Sequence, residues 1–212
     1  MFLPFKEIPF TYSMIALMLT VTLVGWAFKN FYNRLRFYPF KFLIRADSHT
    51  IITSAFVHIN LLHLFTNLYL FYIMSYDLEY VLFEHYNQWY SRIFLFSFFC
   101  ATTILTNLLS GWKHRENLKW STVGASGYIF ALATFCLLYK PLDHSTTKAS
   151  IIPLYYGYQF CLALLAGSYL YTFRKSDTNQ HAHFYGAVLG ILMAVIVRPQ
   201  LVSELVNHFR GH

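Results

Sequence analysis

Six long stretches of the 212-residue sequence contain no Asp, Glu, Lys or Arg, and short charged segments separate them. The stretches are 20 to 29 residues long and occupy 8–28, 48–76, 93–112, 120–139, 149–173 and 178–197. A helix needs about 20 predominantly apolar residues to cross the hydrocarbon core of a bilayer. The pattern therefore predicts an all-α polytopic membrane protein, a bundle of six transmembrane helices forming a single membrane domain over residues 1–212.

Charged residues, prolines and tryptophans at the edges of these stretches set the predicted boundaries. We expect spans at about 10–28, 60–76, 91–110, 122–139, 151–173 and 181–197. The longest connection, 29–57, carries five Lys and Arg residues among many aromatic residues. Such a mixture is typical of a segment that lies in the membrane interface, so we expect an interfacial first loop at about 29–57.

Composition supports the same class of protein. Hydrophobic residues make up 57% of the chain and charged residues 12%, about half the charged fraction of a soluble domain. The net charge of +7 comes from Lys and Arg that lie mainly between the spans, where such residues set topology and contact lipid headgroups. We see no basic stripe that fits nucleic acid. The three cysteines lie in charge-free stretches, and we expect them to behave as small apolar residues without a disulfide.

Polar residues inside a membrane span are costly and therefore point to function. In the second span, His63 and Asn67 are four residues apart and share one helix face. They could supply two hydrogen-bond donors to an oxyanion, or they could simply join helices. His58 lies about 140° around the helix from His63, unlike the two histidines of a helical zinc motif, so we expect no metal site.

Small residues accompany the polar residues of the fourth and sixth spans. The fourth opens with Gly124-Ala125-Ser126-Gly127, a motif that by itself more often serves helix packing. In the sixth, Gly186 and Gly190 follow His183 on its own face and allow a neighbouring helix to approach closely.

His63, Ser126 and His183 all lie near the same membrane surface. The first, third and fifth loops share one side of the membrane and lead into spans two, four and six. Each residue is a few positions inside its span, roughly 5–10 Å below that surface. This agreement predicts a catalytic site in which Ser126 is the nucleophile, His183 the base, and His63 and Asn67 the oxyanion donors. Because no Asp lies in these spans, the site would be a Ser–His dyad.

Together, these residues resemble the rhomboid family of intramembrane serine proteases. The family's three motifs appear in order: H-x-x-x-x-H-x-x-x-N at 58–67, G-x-S-G at 124–127 and A-H-x-x-G-x-x-x-G at 182–190. The resemblance covers about residues 10–200 and corresponds to the minimal six-helix core of the family.

The resemblance implies that Ser126 attacks the peptide bond, that His183 accepts its proton, and that His63, Asn67 and the Ser126 N–H hold the oxyanion. It implies transmembrane segments as substrates, the lipid bilayer as the surrounding partner, and no cofactor. The main alternative is a catalytically silent rhomboid-like protein that binds membrane helices. A transporter or channel is disfavoured because spans four and six are apolar beyond the site.

The resemblance also implies supporting positions around the dyad. These are His58 near the site, Glu79 at the end of the second helix, Phe130 beneath His183 where the family often has Tyr, and the glycines Gly124, Gly127, Gly186 and Gly190. One feature departs from the family pattern, since His49 and Thr50 stand where the family often has a Trp-Arg pair. The first loop could therefore be held differently.

Loop charge disagrees with the family topology. The first, third and fifth loops hold 10 of the 16 Lys and Arg residues, which by the positive-inside rule would place them in the cytoplasm. The family topology instead places the amino terminus there. We adopt it, because an embedded first loop can leave its charges at lipid headgroups. We expect a bacterial inner membrane, since the sequence is short and shows no organellar presequence.

Overall fold

The protein, seen in a computed structural model that describes residues 5–44, 47–142, 156–174 and 179–211, is all-helical. Within these ranges it forms α1 (Pro9–Ala27), α2 (Lys29–Leu35), α3 (Pro39–Leu43), α4 (Thr50–Thr53), α5 (Leu61–His85), α6 (Gln88–Lys113), α7 (Ser126–Tyr139), α8 (Gly157–Tyr171), α9 (Gln180–Val197) and α10 (Gln200–Arg210). A 3₁₀ turn, Ser54–Phe56, follows α4.

Helix boundaries agree with the predicted spans at α1, α6 and α9 to within a few residues. The second predicted span, 60–76, corresponds to the first part of α5, which continues to His85. In the fourth predicted span, 122–139, residues 122–125 are not helical and α7 begins at Ser126. The start of the fifth predicted span, 151–155, lies outside the described residues. We did not predict α10, which follows α9 after a two-residue break.

By length and composition, three helices within the described ranges can cross a membrane, namely α1, α6 and α9. A further candidate span is long and apolar enough only if two segments are taken together. These are Thr50–Phe56 and Leu61–Tyr80, which are bent by 94° relative to each other. Although apolar, α7 has 14 residues, about 21 Å of helix, against a hydrocarbon core of about 30 Å. Three helices, or four if the bent pair forms one span, are therefore candidate membrane spans among the described residues, and the six-helix count stays a prediction.

The α1 helix shows the side-chain arrangement of a membrane helix. Its inward stripe is made of small, polar or flexible residues: Thr11, Met14, Met18, Thr22 and Gly25. Its outward face exposes large apolar residues, including Leu17 and Leu23. A helix in lipid gains nothing from burying leucine against protein, so small residues occupy the helix–helix contact and leucines face the acyl chains.

The centre of the fold is α7, which packs against α5, α6, α8 and α9. Its Tyr128 is fully buried within a cluster of aromatic rings contributed by α5 and α6. The Tyr128 ring lies 5.9 Å from that of Phe71, 5.6 Å from Phe98 and 5.1 Å from Phe99, measured between centroids. These contacts fix the first turn of α7, which carries Ser126, in the middle of the bundle.

The first loop is helical and rests on the segment that leads into α7. Phe37 and Thr122 exchange two backbone hydrogen bonds, at 3.2 and 3.0 Å, and the N–H of Gly124 donates to the carbonyl of Ser54 at 2.8 Å. His49, at the position where the loop departs from the family pattern, has its Nε2 3.1 Å from the carbonyl oxygen of Arg34. The loop is thus held by backbone pairing, and its interfacial location stays a prediction.

Candidate active site

The side chains of Ser126 and His183 meet at the amino-terminal ends of two packed helices. Ser126 is the first residue of α7, and His183 lies in the first turn of α9. His183 Nε2 is 2.7 Å from Ser126 Oγ, and both residues are half-buried. Asn179 caps α9 by accepting from the N–H of Ala182 at 3.2 Å, which fixes the turn that presents His183.

Phe130 supports the imidazole of His183 from below. The two rings are parallel within 2°, and their centroids are 4.5 Å apart. Phe130 comes one turn after Ser126 on α7, so a single helix supplies both the hydroxyl and the surface on which the imidazole lies. This stack restricts rotation of the imidazole while its Nε2 faces Ser126.

Glycines bring α7 and α9 into contact at the level of their backbones. A methyl group added to Gly186 would overlap the carbonyl oxygen of Gly127, and one added to Gly190 would overlap that of Ala131. Between these positions, Thr134 Oγ1 donates to the carbonyl of Ala187 at 2.9 Å. The spacing between the two helices, and with it the distance between Ser126 and His183, therefore depends on the absence of side chains at these glycines.

His63 and Asn67 lie beside the loop that precedes Ser126. Asn60 caps α5 by accepting from the N–H of His63 at 2.9 Å, which places His63 in the first turn. A Cβ atom added to Gly124 would be 2.9 Å from His63 Nε2 and 3.6 Å from Asn67 Nδ2. Gly124 has φ +103°, a conformation in which a side chain would be strained. Glycine at this position thus permits both the turn and the close approach of the two side chains.

The polar atoms of His63 and Asn67 are buried but unused in the part of the chain that the structure describes. Both ring nitrogens of His63 and Nδ2 of Asn67 have no hydrogen-bond partner among those residues. Leaving a buried donor unpaired costs about 1–3 kcal/mol of folding free energy. Together with Ser126 and His183, they form a group that can bind an electron-rich atom.

His58 connects this group to α1. Its Nδ1 is 3.0 Å from Thr22 Oγ1, and its backbone carbonyl accepts from Trp26 Nε1 at 2.9 Å. Its ring lies 5.1 Å from that of His63 in an edge-to-face arrangement. His58 is fully buried, and its ring packs against that of His63, so its position constrains that of His63.

Glu79 holds a different contact, at the start of α1. Its carboxylate accepts from the N–H groups of Phe10 and Thr11, each at 2.8 Å, and from Thr11 Oγ1 at 2.7 Å. The first N–H groups of a helix lack partners within that helix and carry partial positive charge, so a carboxylate stabilises this end. Glu79 therefore joins α1 to α5 rather than contributing to the group around Ser126.

A polar stripe on α6, which the sequence patterns did not single out, lies behind Ser126. Thr103, Thr106 and Asn107 line a cavity of about 10 Å³ together with Ser126 and Asn179, a volume that fits one water molecule. Thr and Asn at spacings of three and four are visible in the sequence as a face of the third span. They do not stand out because threonines in membrane helices commonly bond to their own helix, as Thr106 does to the Thr102 carbonyl at 2.7 Å.

Basic and aromatic side chains cluster where the end of α6 meets the start of α9. Lys113 Nζ lies 2.9 Å from His181 Nε2, and the His114 ring stacks on Trp120 with 4.3 Å between centroids. Burial, followed by the nearby His181 and Lys113, lowers the pKa of His114. The lowered pKa favours the neutral form of His114.

Comparison with known proteins gives one family match. The sequence matches the family model described as Rhomboid domain over residues 45–200, which is most of the chain. No curated protein gives a match. Most members of the family are serine intramembrane proteases, and some are inactive. The match and the apolar helices make the protein an integral membrane protein, and the chain belongs to the rhomboid family.

Proposed function

We propose that the protein is an intramembrane serine endopeptidase in which Ser126 is the nucleophile and His183 the general base. The observation that carries this proposal is the 2.7 Å distance between His183 Nε2 and Ser126 Oγ. It falls within the range that proton transfer from a nucleophile to its base requires. The parallel stack on Phe130 orients the imidazole, which in other serine hydrolases is oriented by a hydrogen bond to a third residue.

The reaction follows from this geometry. Ser126 Oγ attacks the carbonyl carbon of the scissile peptide while His183 Nε2 accepts the hydroxyl proton. The protonated His183 then donates to the leaving nitrogen as the C–N bond breaks, which leaves an acyl-enzyme. A water molecule, activated by the same imidazole, attacks the ester, releases the new carboxyl terminus and returns the proton to Ser126.

The developing oxyanion is stabilised by His63, Asn67 and the backbone N–H of Ser126. The unpartnered donors on His63 and Asn67 support this assignment, because a preorganised site keeps its donors free until the charge appears. Ser126 opens α7, so its N–H is among the free donors at a helix amino terminus.

Substrates in this proposal are transmembrane segments that unwind near the surface formed by the first, third and fifth loops. A formed helix hides its carbonyls in internal hydrogen bonds, so small or helix-destabilising residues at the cleavage site favour the reaction. The half-buried dyad at the amino-terminal ends of α7 and α9 supports entry of water from that surface. We also propose that the chain crosses a bacterial inner membrane six times. Its amino terminus then lies in the cytoplasm, as in the family topology.

Cleavage of tagged transmembrane segments in liposomes tests the proposal. Wild-type protein is expected to cut, and to react covalently with a fluorophosphonate probe. Ser126→Ala is expected to lose both activities and to keep its thermal unfolding profile. Ser168→Ala is the matched control, since Ser168 donates to its own helix at Leu165 and lies on α8. A wild-type protein that binds the segments without cutting them or reacting with the probe would instead be a catalytically silent family member.

A further inference from the structure

An apolar groove lies between the first loop and the carboxyl-terminal end of α6, apart from the Ser126 site. Its volume is about 110 Å³, and almost all of its wall is hydrocarbon. The lining residues are Phe37, Pro39, Phe42 and Leu43 from the loop, and Leu108, Gly111, Trp112 and Arg115 from the α6 end. The volume is comparable to that of apolar protein cavities that bind benzene, so it accommodates a short stretch of hydrocarbon chain.

The groove opens outward, where α6 faces lipid. Leu43 and Trp112 at its mouth are exposed, as are Leu105 and Leu109 nearby on α6. Because α6 is long and apolar enough to span the bilayer, its carboxyl-terminal end lies close to one membrane surface. The apolar wall is thus continuous with the lipid-facing side of a transmembrane helix, and acyl chains are what this surface meets.

The positively charged side chain of Arg115 lies at the rim of the groove. The Arg115 guanidinium lies over the Trp112 ring at 4.7 Å from its centroid, and Nη1 donates to the Trp112 carbonyl at 3.1 Å. Its ion pair with Glu116 is 3.5 Å long, and the Glu116 side chain is 88% exposed, so that pair is weak. Arg115 is therefore held in position but retains donors for a phosphate.

The other end of α6 provides an internal comparison. Trp89 is 66% exposed and Trp112 65%, and the Arg92 guanidinium lies over Trp89 at 5.5 Å. Both ends of the helix thus carry the same Trp-x-x-Arg arrangement. Arg92, however, donates to Gln88 Oε1 at 3.1 Å, and the groove formed by α3 lies at the Trp112 end.

We propose that the groove binds one anionic phospholipid, with an acyl chain against Phe42 and Leu108 and the phosphate on Arg115. The acyl chain is held by hydrophobic burial, and the phosphate by charge-assisted hydrogen bonds from Arg115. A zwitterionic lipid offers the same phosphate, but the cation of its headgroup is repelled by the Arg115 guanidinium, so the site prefers anionic lipids. This proposal does not depend on catalysis by Ser126.

Native mass spectrometry of the intact protein, released from vesicles of equal phosphatidylglycerol and phosphatidylcholine, tests the site. Wild type is expected to retain one phosphatidylglycerol per chain. Arg115→Gln is expected to lower the ratio of retained phosphatidylglycerol to phosphatidylcholine about tenfold, while the matched variant Arg92→Gln leaves it unchanged. Equal retention of both lipids by wild type, or an equal loss in both variants, would overturn the proposal. Retention of a second protein chain in place of lipid would also overturn it.

A second measurement uses fluorescence in the membrane and does not require release of the protein. Trp112 is kept as the sole tryptophan by changing Trp26, Trp89 and Trp120 to Phe, and a Trp89-only protein is made in the same way. Phosphatidylglycerol with brominated acyl chains is expected to quench Trp112 at a several-fold lower mole fraction than brominated phosphatidylcholine. The Trp89-only protein is expected to show no headgroup preference. Equal quenching of Trp112 by the two lipids contradicts the proposal.

Discussion

Two buried asparagines near the site differ in what their side chains contact. Asn107 Nδ2 donates to the Ile51 carbonyl at 2.8 Å and to Ser54 Oγ at 3.1 Å, which joins α6 to the first loop. Asn67 Nδ2 has no partner within the described ranges. The same residue type thus joins two segments in one place and leaves its side-chain donor unpaired in the other.

Variants of the two asparagines can separate an effect on the proposed catalysis from an effect on stability. We expect Asn67→Ala to lower kcat about 10²- to 10³-fold, as loss of an oxyanion donor does, with little change in Tm. Asn107→Ala should lower Tm, because it removes two hydrogen bonds and leaves the Ile51 carbonyl unpaired, at a cost of about 1–3 kcal/mol. Cleavage kinetics and thermal unfolding in the same detergent measure both effects. A large fall in Tm for Asn67→Ala would mean that its role is structural.

The ring beneath His183 allows a second test at the scale of single residues. We expect Phe130→Leu to lower kcat roughly threefold to tenfold without raising KM, since an aromatic stack contributes about 0.5–1.5 kcal/mol. Phe130→Tyr preserves the ring and should retain most activity. Phe96→Leu is the control, because Phe96 is exposed on α6. Equal activities of Phe130→Leu and Phe130→Tyr would contradict a supporting role for the ring.

At the scale of helices, the contact between α7 and α9 has no layer of side chains at its two closest points. Gly186 faces the Gly127 carbonyl, and Gly190 faces the Ala131 carbonyl and Thr134. Close backbone approach maximises van der Waals contact where lipid removes the hydrophobic drive for association. The contact therefore determines the geometry of the dyad as well as the packing of two helices.

A single methyl group tests this contact. Gly186→Ala and Gly190→Ala are each expected to lower the free energy of unfolding by about 1–3 kcal/mol through overpacking, and to reduce cleavage as α9 moves away from α7. Gly167→Ala on α8 has open space around its Cβ position and should be neutral or stabilising by up to about 1 kcal/mol. Thermal unfolding and cleavage rate are measured together. Normal unfolding and cleavage in Gly186→Ala would disprove the tight contact.

Helix boundaries could be predicted from the sequence where charged residues flank an apolar stretch, and less well where they do not. Hydropathy located α9 because charged residues flank its apolar stretch. It misplaced the start of α7, because Gly124 turns the chain at a positive φ while the sequence there remains apolar. It missed α10 because that helix is amphipathic and short, with Glu204 and Arg210 interrupting any apolar window.

The residues of the candidate site were easier to predict from the sequence than the contacts between distant segments. Polar side chains in apolar spans are costly, so their common depth groups Ser126, His183 and His63, and the i, i+4 spacing adds Asn67 to the face of His63. In the structure, His183 contacts Ser126, and His63 and Asn67 lie beside Gly124. Their catalytic roles stay predictions. Contacts such as the backbone pairing of 37 with 122 join distant segments and leave no local pattern to read.

At the scale of the whole molecule, Glu79 links the first helix to the rest of the fold. Glu79 makes three hydrogen bonds to the start of α1. A second contact between the same helices lies beside it, because Thr11 Oγ1 on α1 is 2.8 Å from Ser75 Oγ on α5. Thr22 and Trp26 on α1 contact His58, which packs against His63. The position of α1, which Glu79 helps to fix, therefore affects the candidate site indirectly.

Removing the carboxylate is expected to loosen α1 without touching the dyad. Glu79→Ala should lower the free energy of unfolding by roughly 3 kcal/mol or more, because it leaves several donors of α1 unpaired. Glu79→Gln should cost less, since one acceptor oxygen remains. Unfolding in detergent gives the stability, and the kcat of the folded fraction should fall less than it does in Asn67→Ala, because Glu79 reaches the site only through α1 and His58. An unchanged Tm in Glu79→Ala would contradict the link.

The order of the helices along the chain has a consequence for biosynthesis. Ser126 lies on α7 and His183 on α9, 57 residues later, and the two meet only where glycines let these helices touch. Helices in a membrane insert before they associate. In the proposed mechanism, a nascent chain that has synthesised α7 but not α9 thus carries the nucleophile without its base. The proposed protease activity would then begin only when α9 has been synthesised, inserted and docked, which would protect neighbouring proteins at the insertion site from premature cleavage.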